Sequence, residues 1–232
     1  MPDRATTRDA LSASVEDYVK AIYSLGEYAD GAPVSTTALA AHLAVGASSV
    51  SGMLRRLGEL ALVEHVPYRG VRLTEGGRSK ALDVVRRHRL LETFLVRTLG
   101  VPWDEVHDDA DALEHAISPR LERRIAALLG EPTHDPHGDP IPSLDGELPS
   151  GDTVALTEVA PGAVGTLARV SDHDPDMLRY LATLPVSIGD RIEVRDRQPF
   201  GGSLTVRVGE GATAVTCDLG RDLAAAMRVR PG

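Results

Sequence analysis

The sequence predicts a multidomain protein, mainly α, with a small β domain at its C-terminal end. Three observations predict this. Apolar residues recur at three- and four-residue spacing through most of residues 12–129, as amphipathic helices require. Residues 131–151, EPTHDPHGDPIPSLDGELPSG, are crowded with Pro, Gly and Asp and carry no period, so they read as a linker or extended segment. From residue 153 onward, short strand-like stretches separated by Gly and Pro turns replace the helical pattern, the signature of a small β-barrel.

The elements follow in order. Residues 12–28 form a first helix, with Ser14 as N-cap and Val15, Tyr18, Val19, Ile22 and Leu25 at helical spacing. Residues 35–44 repeat the pattern, capped by Ser35, with Leu39 and Leu43 inside. Val45-Gly46 reads as a turn and 47–60 as a third helix carrying Val50, Met53, Leu54 and Leu57. Residues 62–73, LVEHVPYRGVRL, read as two short strands joined around Pro67–Gly70. Helix, helix, short turn, helix, hairpin is the order of a winged helix-turn-helix. A long helix then runs from Thr74 towards Gly100, and two more lie in 107–130, broken near Ser118-Pro119. TVALTEV, GTLARVS, DRIEVRD, LTVRVG and TAVTCD supply strands, interrupted by a helix over 175–184. The domains expected are 1–74 (DNA-binding winged helix-turn-helix), 75–145 (helical), 146–152 (linker) and 153–232 (β).

Composition removes several function classes. A single cysteine, Cys217, excludes a disulfide framework and a cysteine-based zinc cluster, and fits a reducing compartment. The N-terminal stretch MPDRATTRDALSASVEDYV has no apolar h-region, and no run long enough to span a bilayer exists, so a cytoplasmic location is expected. The net charge of −9 argues against non-specific coating of nucleic acid. It leaves room for a specific reader with local basic charge. Residues 45–80 hold six Lys/Arg against three Asp/Glu, an excess opposite in sign to the whole chain.

The stretch HDDADALEH, 107–115, sets two histidines around four acids. At about 100° per residue, His107, Asp111, Glu114 and His115 share one stripe of a helix, while Asp108 and Asp109 point elsewhere as first-turn acids. A solvated charge-rich face is the plain reading of such a stretch. Against it stands a second pair, His88 and Glu92, spaced i, i+4 on the preceding helix. Facing helices that offer His and carboxylates are how bundles hold divalent metals.

HRLLE at 88–92, VHDDADALEHAIS at 106–118 and GDPIP at 138–142, in this domain order, resemble the diphtheria toxin repressor family of metal-dependent transcriptional repressors. The resemblance covers nearly the whole chain. It implies a helical metal-binding and dimerisation domain, an SH3-like C-terminal module, homodimerisation and operator DNA as partner. It also implies two metal sites per chain. One would use Asp17, Asp111, Glu114 and His115. The other would use His88, Glu92 and His107, completed by Asp172 or Asp176 from SDHDPD. Iron-responsive members carry Met and Cys where this chain has Asp17 and Asp111. Carboxylate oxygens suit harder ions, so Mn(II) is the expected metal and Fe(II) the alternative. The manganese branch often has a glutamate where this chain has Lys20, so two separate ions are expected rather than a cluster using that position.

In the DNA-binding domain the third helix would read DNA with Ser48, Ser49 and Ser51, supported by Arg55 and Arg56, while Tyr68, Arg69 and Arg72 line the wing. Serines early in a helix are also ordinary caps, and an Arg pair is also an ordinary solvated face. Two rival functions are weighed. A metallohydrolase needs an open coordination position and a pocket, and no HExxH, P-loop or nucleophile elbow is present, so no enzyme is expected. A metal-independent winged-helix regulator sensing an organic ligand would leave Glu114 and His115 without a purpose.

Overall fold

The computed structural model describes residues 11–28 and 31–232, which form two compact units. The first comprises the described residues up to Arg86 together with Pro142–Gly146. The second comprises Arg87–Ile141 and Glu147–Gly232.

In the first unit, α1 (Ala13–Tyr28) packs on α2 (Thr36–His42), α3 (Ala47–Glu59) and β2 (Gly70–Leu73). The Ser35 hydroxyl accepts from the Ala38 amide at 3.1 Å, so the expected cap starts α2. The chain turns through 111° between α2 and α3, within the range of helix-turn-helix units. Val50, Leu54 and Leu57 bury one stripe of α3; of the residues between them Met53 is half-buried and the others are exposed. β1 (Val63–Val66) pairs antiparallel with β2 from Val63↔Leu73 to Val66↔Gly70, completing the wing. The helix α4 (Glu75–Phe94) follows, capped by the Thr74 hydroxyl, which accepts from the Gly77 amide at 3.0 Å. No single helix among the described residues is long and apolar enough to cross a membrane.

In the second unit, α4 runs into a single wide turn, Leu95–Leu99, ended by Gly100 with φ +72°. The long helix expected to reach Gly100 is therefore α only to Phe94. α5 (Val106–Glu114) and α6 (Pro119–Leu128) follow; Ser118 caps α6, accepting from the Leu121 amide at 3.2 Å. Leu90, Leu91, Leu95, Val106, Ala110, Ile125, Ala126 and Ile141 form their core.

The β domain is one antiparallel sheet in the order β3-β8-β4-β5-β6-β7, made of β3 (Val154–Ala155), β4 (Val164–Val170), β5 (Arg191–Arg197), β6 (Leu204–Val208), β7 (Val215–Leu219) and β8 (Met227–Pro231). α7 (Pro175–Leu181) and α8 (Arg221–Ala225) pack with it around one apolar cluster that includes Leu167, Leu178 and Met227. This is the small SH3-like domain expected. Its strand β8 and helix α8 were not foreseen. β8 lies between β3 and β4, and its burial comes from those neighbours rather than from its Arg-rich sequence.

The Pro/Gly/Asp segment differs most from expectation. It has no regular element, yet Asp135, His137, Asp139 and Ile141 are buried. Its Gly138 has φ +85°, and a Cβ there would lie 2.0 Å from the Ala168 carbonyl oxygen, so only glycine permits this approach to β4. The Val170 amide donates to the His137 carbonyl at 2.9 Å. Residues 135–141 are a buried strap rather than a linker.

Candidate metal centre

Helical geometry brings the donors together. His88 and Glu92 lie one turn apart on α4, and His107, Asp111 and Glu114 follow one stripe of α5. The centre of the arrangement is His88, with both ring nitrogens engaged. Nδ1 lies 2.7 Å from Glu114 Oε2 and 3.1 Å from Asp111 Oδ1. Nε2 lies 3.0 Å from Glu92 Oε1 and 3.2 Å from His107 Nδ1. His107 Nδ1 is also 3.6 Å from Asp172 Oδ2, and His107 Nε2 is 3.6 Å from Asp111 Oδ2. His88, Glu92, His107 and Asp172 each offer an atom within 4.8 Å of the others, as do His88, Asp111 and Glu114. The two sets expected from sequence thus meet at one imidazole. His115, at the end of α5, places Nε2 3.5 Å from Glu114 Oε1.

Asp172 reaches the set because Asp174, not Asp172, caps α7: Asp174 Oδ1 accepts from the Asp176 and Met177 amides at 2.9 and 3.2 Å. Asp176 points elsewhere. It is exposed and pairs with Arg179, so of the two candidates in SDHDPD only Asp172 lies with the histidines.

The second oxygen of Glu92 faces a different neighbour. Glu92 Oε2 and His137 Nδ1 lie 3.9 Å apart, both buried, and neither has a hydrogen-bond partner among the described residues. His137 Nε2 lies 2.7 Å from the Trp103 carbonyl oxygen. A carbonyl only accepts, so Nε2 carries the proton and a neutral ring turns the lone pair of Nδ1 towards Glu92. Two lone-pair acceptors face each other in a dry interior, which is costly unless a proton or a cation lies between them. A ring N–H held by a backbone carbonyl is also how metal-binding histidines are oriented. Glu92, Asp135 and His137 each offer a donor atom within 4.8 Å of the others. The residues present therefore fit a divalent cation.

The electrostatics agree. Burial alone would raise the Glu92 carboxyl, but the charge of His88 and hydrogen bonds from His107 and His88 hold it well below the usual range. Asp172 is likewise depressed against its own burial, by the His173 hydrogen bond and by the charge of His107. Burial pushes His107 down, yet its bond to Glu92 and the nearby Asp172 and Asp111 leave it raised. Asp135 is raised well above the ordinary value by burial and by repulsion from Asp139 and Glu92. Arg89 and Arg169 flank the strap: Arg89 donates to Pro140 O at 2.6 Å and to Asp139 Oδ1 at 3.1 Å, and Arg169 pairs with Asp139.

Asp17 lies on α1 in the first unit, half-buried. The DNA-reading candidates, Ser48, Ser49, Ser51, Arg55 and Arg56 on α3 and Tyr68, Arg69 and Arg72 on the wing, are all exposed. Ser51 Oγ donates to the Ala47 carbonyl at 2.9 Å. Sequence reasoning missed Asp135 and His137. The signal was present, a His between two Asp within five residues, but it sat in a stretch read as linker.

Comparison with known proteins gives a consistent picture. Three family profiles match: "Iron dependent repressor, N-terminal DNA binding domain" over residues 10–71, "Iron dependent repressor, metal binding and dimerisation domain" over 74–143, and "FeoA domain" over 154–231. The iron-dependent repressor IdeR of Mycobacterium tuberculosis is 35% identical over 204 residues, covering 83% of this chain and 87% of that protein. The diphtheria toxin repressor of Corynebacterium diphtheriae is 30% identical over 198 residues, 81% of this chain and 86% of that protein. A solved structure described as a manganese-dependent transcriptional repressor in complex with manganese superposes with a TM-score of 0.88 at 47% identity, covering 94% of this chain and 100% of that one.

Proposed function

The chain belongs to the diphtheria toxin repressor family of metal-dependent transcriptional repressors, and we propose that it is a manganese-responsive member, binding operator DNA as a metal-loaded homodimer in the cytoplasm and controlling manganese uptake genes. The metal choice rests on the donor set. The residues gathered around His88 and Glu92 are imidazoles and carboxylates, with no sulfur among them. Cys217 lies on β7, packed against the β-domain core. Hard oxygen donors with a few imidazoles suit Mn(II) better than thiolate-containing sites do. The similarity to a repressor solved with manganese supports the same reading.

Two ions per chain are proposed. Asp17, Asp111, Glu114 and His115 would hold one, and Glu92 with His88, His107 and Asp172 the other. Asp135 and His137 give Glu92 a second set of partners for that ion. A bound cation supplies positive charge that offsets several carboxylates drawn into one place. The residues then divide the work. Asp17, from the DNA-binding domain, would join donors of α5, so that metal loading fixes the spacing of two recognition helices in a dimer. Glu92 stays ionised beside His88 and His107 and is ready to ligate. Trp103, through its carbonyl, holds the His137 ring in the ligating tautomer. Exposed Leu121 and Leu128, seven residues apart on one face of α6, are proposed dimer contacts. Metal and DNA would favour the same conformer, so each strengthens binding of the other by one common factor.

The test is DNA binding by metal-stripped full-length protein, followed by fluorescence anisotropy on duplex from its own upstream region, titrated anaerobically with Mn(II) or with Fe(II). Activation by Mn(II) at a concentration equal to or below that of Fe(II) is expected. Activation by Fe(II) alone would overturn the manganese assignment and leave an iron regulator of the same family. Metal-independent binding would overturn both.

A further inference from the structure

The two edges of the β sheet are built differently. The order β3-β8-β4-β5-β6-β7 leaves β3 at one edge and β7 at the other. β3 is two residues long, too short to offer a template to another chain. β7 has five residues, an ordinary strand length, and β6 pairs with only one of its sides. Among the described residues, no backbone hydrogen bond joins Val215–Leu219 to anything but β6. A strand so placed turns amide and carbonyl groups outward, and proteins usually guard such an edge.

The usual guards are missing here. VTCDL holds no proline, lysine or arginine. Its register with β6 runs unbroken from Val215↔Val208 to Leu219↔Leu204, whereas the β4–β8 and β5–β6 ladders each shift once. No bulge therefore twists this edge away from a partner. Val215 is 46% exposed, and Thr216 and Asp218 stand in solvent.

The strand is also complementary to itself. Successive side chains alternate between faces, so Val215, Cys217 and Leu219 share the face that packs on the core, and Thr216 and Asp218 share the other. Set antiparallel to a copy of itself about Cys217, the strand brings Val215 opposite Leu219, Cys217 opposite Cys217 and Thr216 opposite Asp218. Apolar groups then meet on one face and a hydroxyl meets a carboxylate on the other. The same hydroxyl–carboxylate pair already exists one strand in, where Thr205 Oγ1 donates to Asp218 across the β6–β7 ladder. No like charges face each other, and such cross-strand pairs are what stabilise a ladder.

We infer that β7 is an interface between copies of this chain: two β7 strands pair antiparallel about a twofold axis at Cys217 and join two β sheets edge to edge. The contact is isologous, so each strand gives and receives the same interactions. It is separate from the α6 contacts proposed above. Each helical dimer carries two such edges, so dimers associate into four-chain and larger even-numbered species as concentration rises. On DNA with neighbouring operators, dimers joined this way raise each other's effective concentration; this consequence, unlike the seam itself, rests on the repressor reading above.

The test is sedimentation velocity of the full-length, Mn(II)-loaded chain over a wide concentration series, with circular dichroism to confirm that each variant is folded. A five-residue seam is small, so the larger species are expected at the concentrated end. Thr216→Asp sets a carboxylate against Asp218 of the second copy at both ends of the seam, and is expected to weaken association by about tenfold. Thr216→Lys sets an ammonium there and is expected to strengthen association by a similar factor. Effects on the fold run the other way, because Thr216 stands opposite Arg207 on β6, which favours aspartate over lysine. Dimers at every concentration, association that Thr216→Asp leaves unchanged, or an equal response to both substitutions would overturn the proposal. If the step is instead from one chain to two and Thr216→Asp abolishes it, the seam stands and the helical dimer falls.

Discussion

The DNA-reading surface and the metal centre use polar side chains in opposite ways. On α3 and the wing, Ser48, Ser49, Ser51, Arg55, Arg56, Tyr68, Arg69 and Arg72 all stand in solvent on a scaffold whose core is apolar. Around His88 the polar groups are the core: Glu92 and His137 are 0% exposed, Glu114 is 1% and Asp139 2%. Exposed groups wait for a partner at little cost to the fold, and each contributes modestly. Buried charges must be satisfied from within, so removing one leaves its neighbours uncompensated, typically at about 3–5 kcal/mol. The first surface should therefore tolerate substitution and change specificity, while the second should answer in metal binding and stability together.

The largest effect is expected where that contrast can be broken. Asp111 belongs to the centre but its side chain is 49% exposed, so the fold does not depend on it. Asp111→Ala is expected to lower metal-dependent operator affinity by about a hundredfold, the upper end of ordinary allosteric coupling, with little change in melting temperature of the metal-stripped protein. Unchanged operator affinity in saturating Mn(II) would refute its place in the regulatory site. Next comes His88→Ala. The sequence assigns His88 to only one of the two metal sites, the one without Asp17 and Asp111, so by sequence alone its loss should leave partial repression. The structure puts Glu114 and Asp111 on one side of its ring and Glu92 and His107 on the other. It should therefore disturb both sets of donors, raising the Mn(II) needed for half-maximal DNA binding by more than His107→Ala does. The reverse order would show that the two sets act independently.

A smaller effect sharpens the role of the strap. His137→Ala should weaken Mn(II) at the Glu92 position by about tenfold, as for a supporting ligand, read by equilibrium dialysis with elemental analysis. It should leave Asp111-dependent activation in excess metal largely intact. If metal affinity is unchanged, a proton rather than a cation lies between His137 Nδ1 and Glu92.

These residues also show what the sequence made legible. Helix starts came in part from local chemistry: Ser35 caps as read and the break near Ser118-Pro119 is where α6 starts, but α1 begins at Ala13, so Ser14 lies inside it rather than capping it; Gly100 ends the long helix with a left-handed residue. The i, i+4 pair on α4 and the stripe on α5 were legible because a helix turns spacing into direction. Asp135 and His137 were not, because a segment without period gives no facing direction. Their burial is imposed by β4 and by the glycine that lets the strap approach it. β8 escaped for a related reason. MRVRP has little apolar content, and its place between β3 and β4 is a fact of tertiary pairing.

The smallest expected effect concerns pH, and it separates the metal-free from the loaded centre. His107 is held above its ordinary value, so the folded metal-free chain binds protons there more tightly than the unfolded chain does. That contribution is full below about pH 6.5 and fades as pH rises through the raised value. Asp135 and Asp139, raised mainly by burial, act in the same direction, because each keeps a proton to higher pH than it would unfolded. Glu92 and Asp172, held low, contribute stability that is lost only as pH falls below about 4. Between about pH 6 and pH 8 the metal-stripped protein should therefore lose stability. Metal ligation needs a neutral His107 and ionised carboxylates, so Mn(II) binding strengthens over the same interval. The melting temperatures with and without Mn(II) should diverge as pH rises, by a few degrees more at pH 8 than at pH 6 for a change of about 1 kcal/mol in a chain of this size. In the His107→Gln variant, which has no titrating group at that position, the divergence should shrink. An equal divergence in that variant would place the proton release elsewhere in the centre, with Asp135 the next group to substitute.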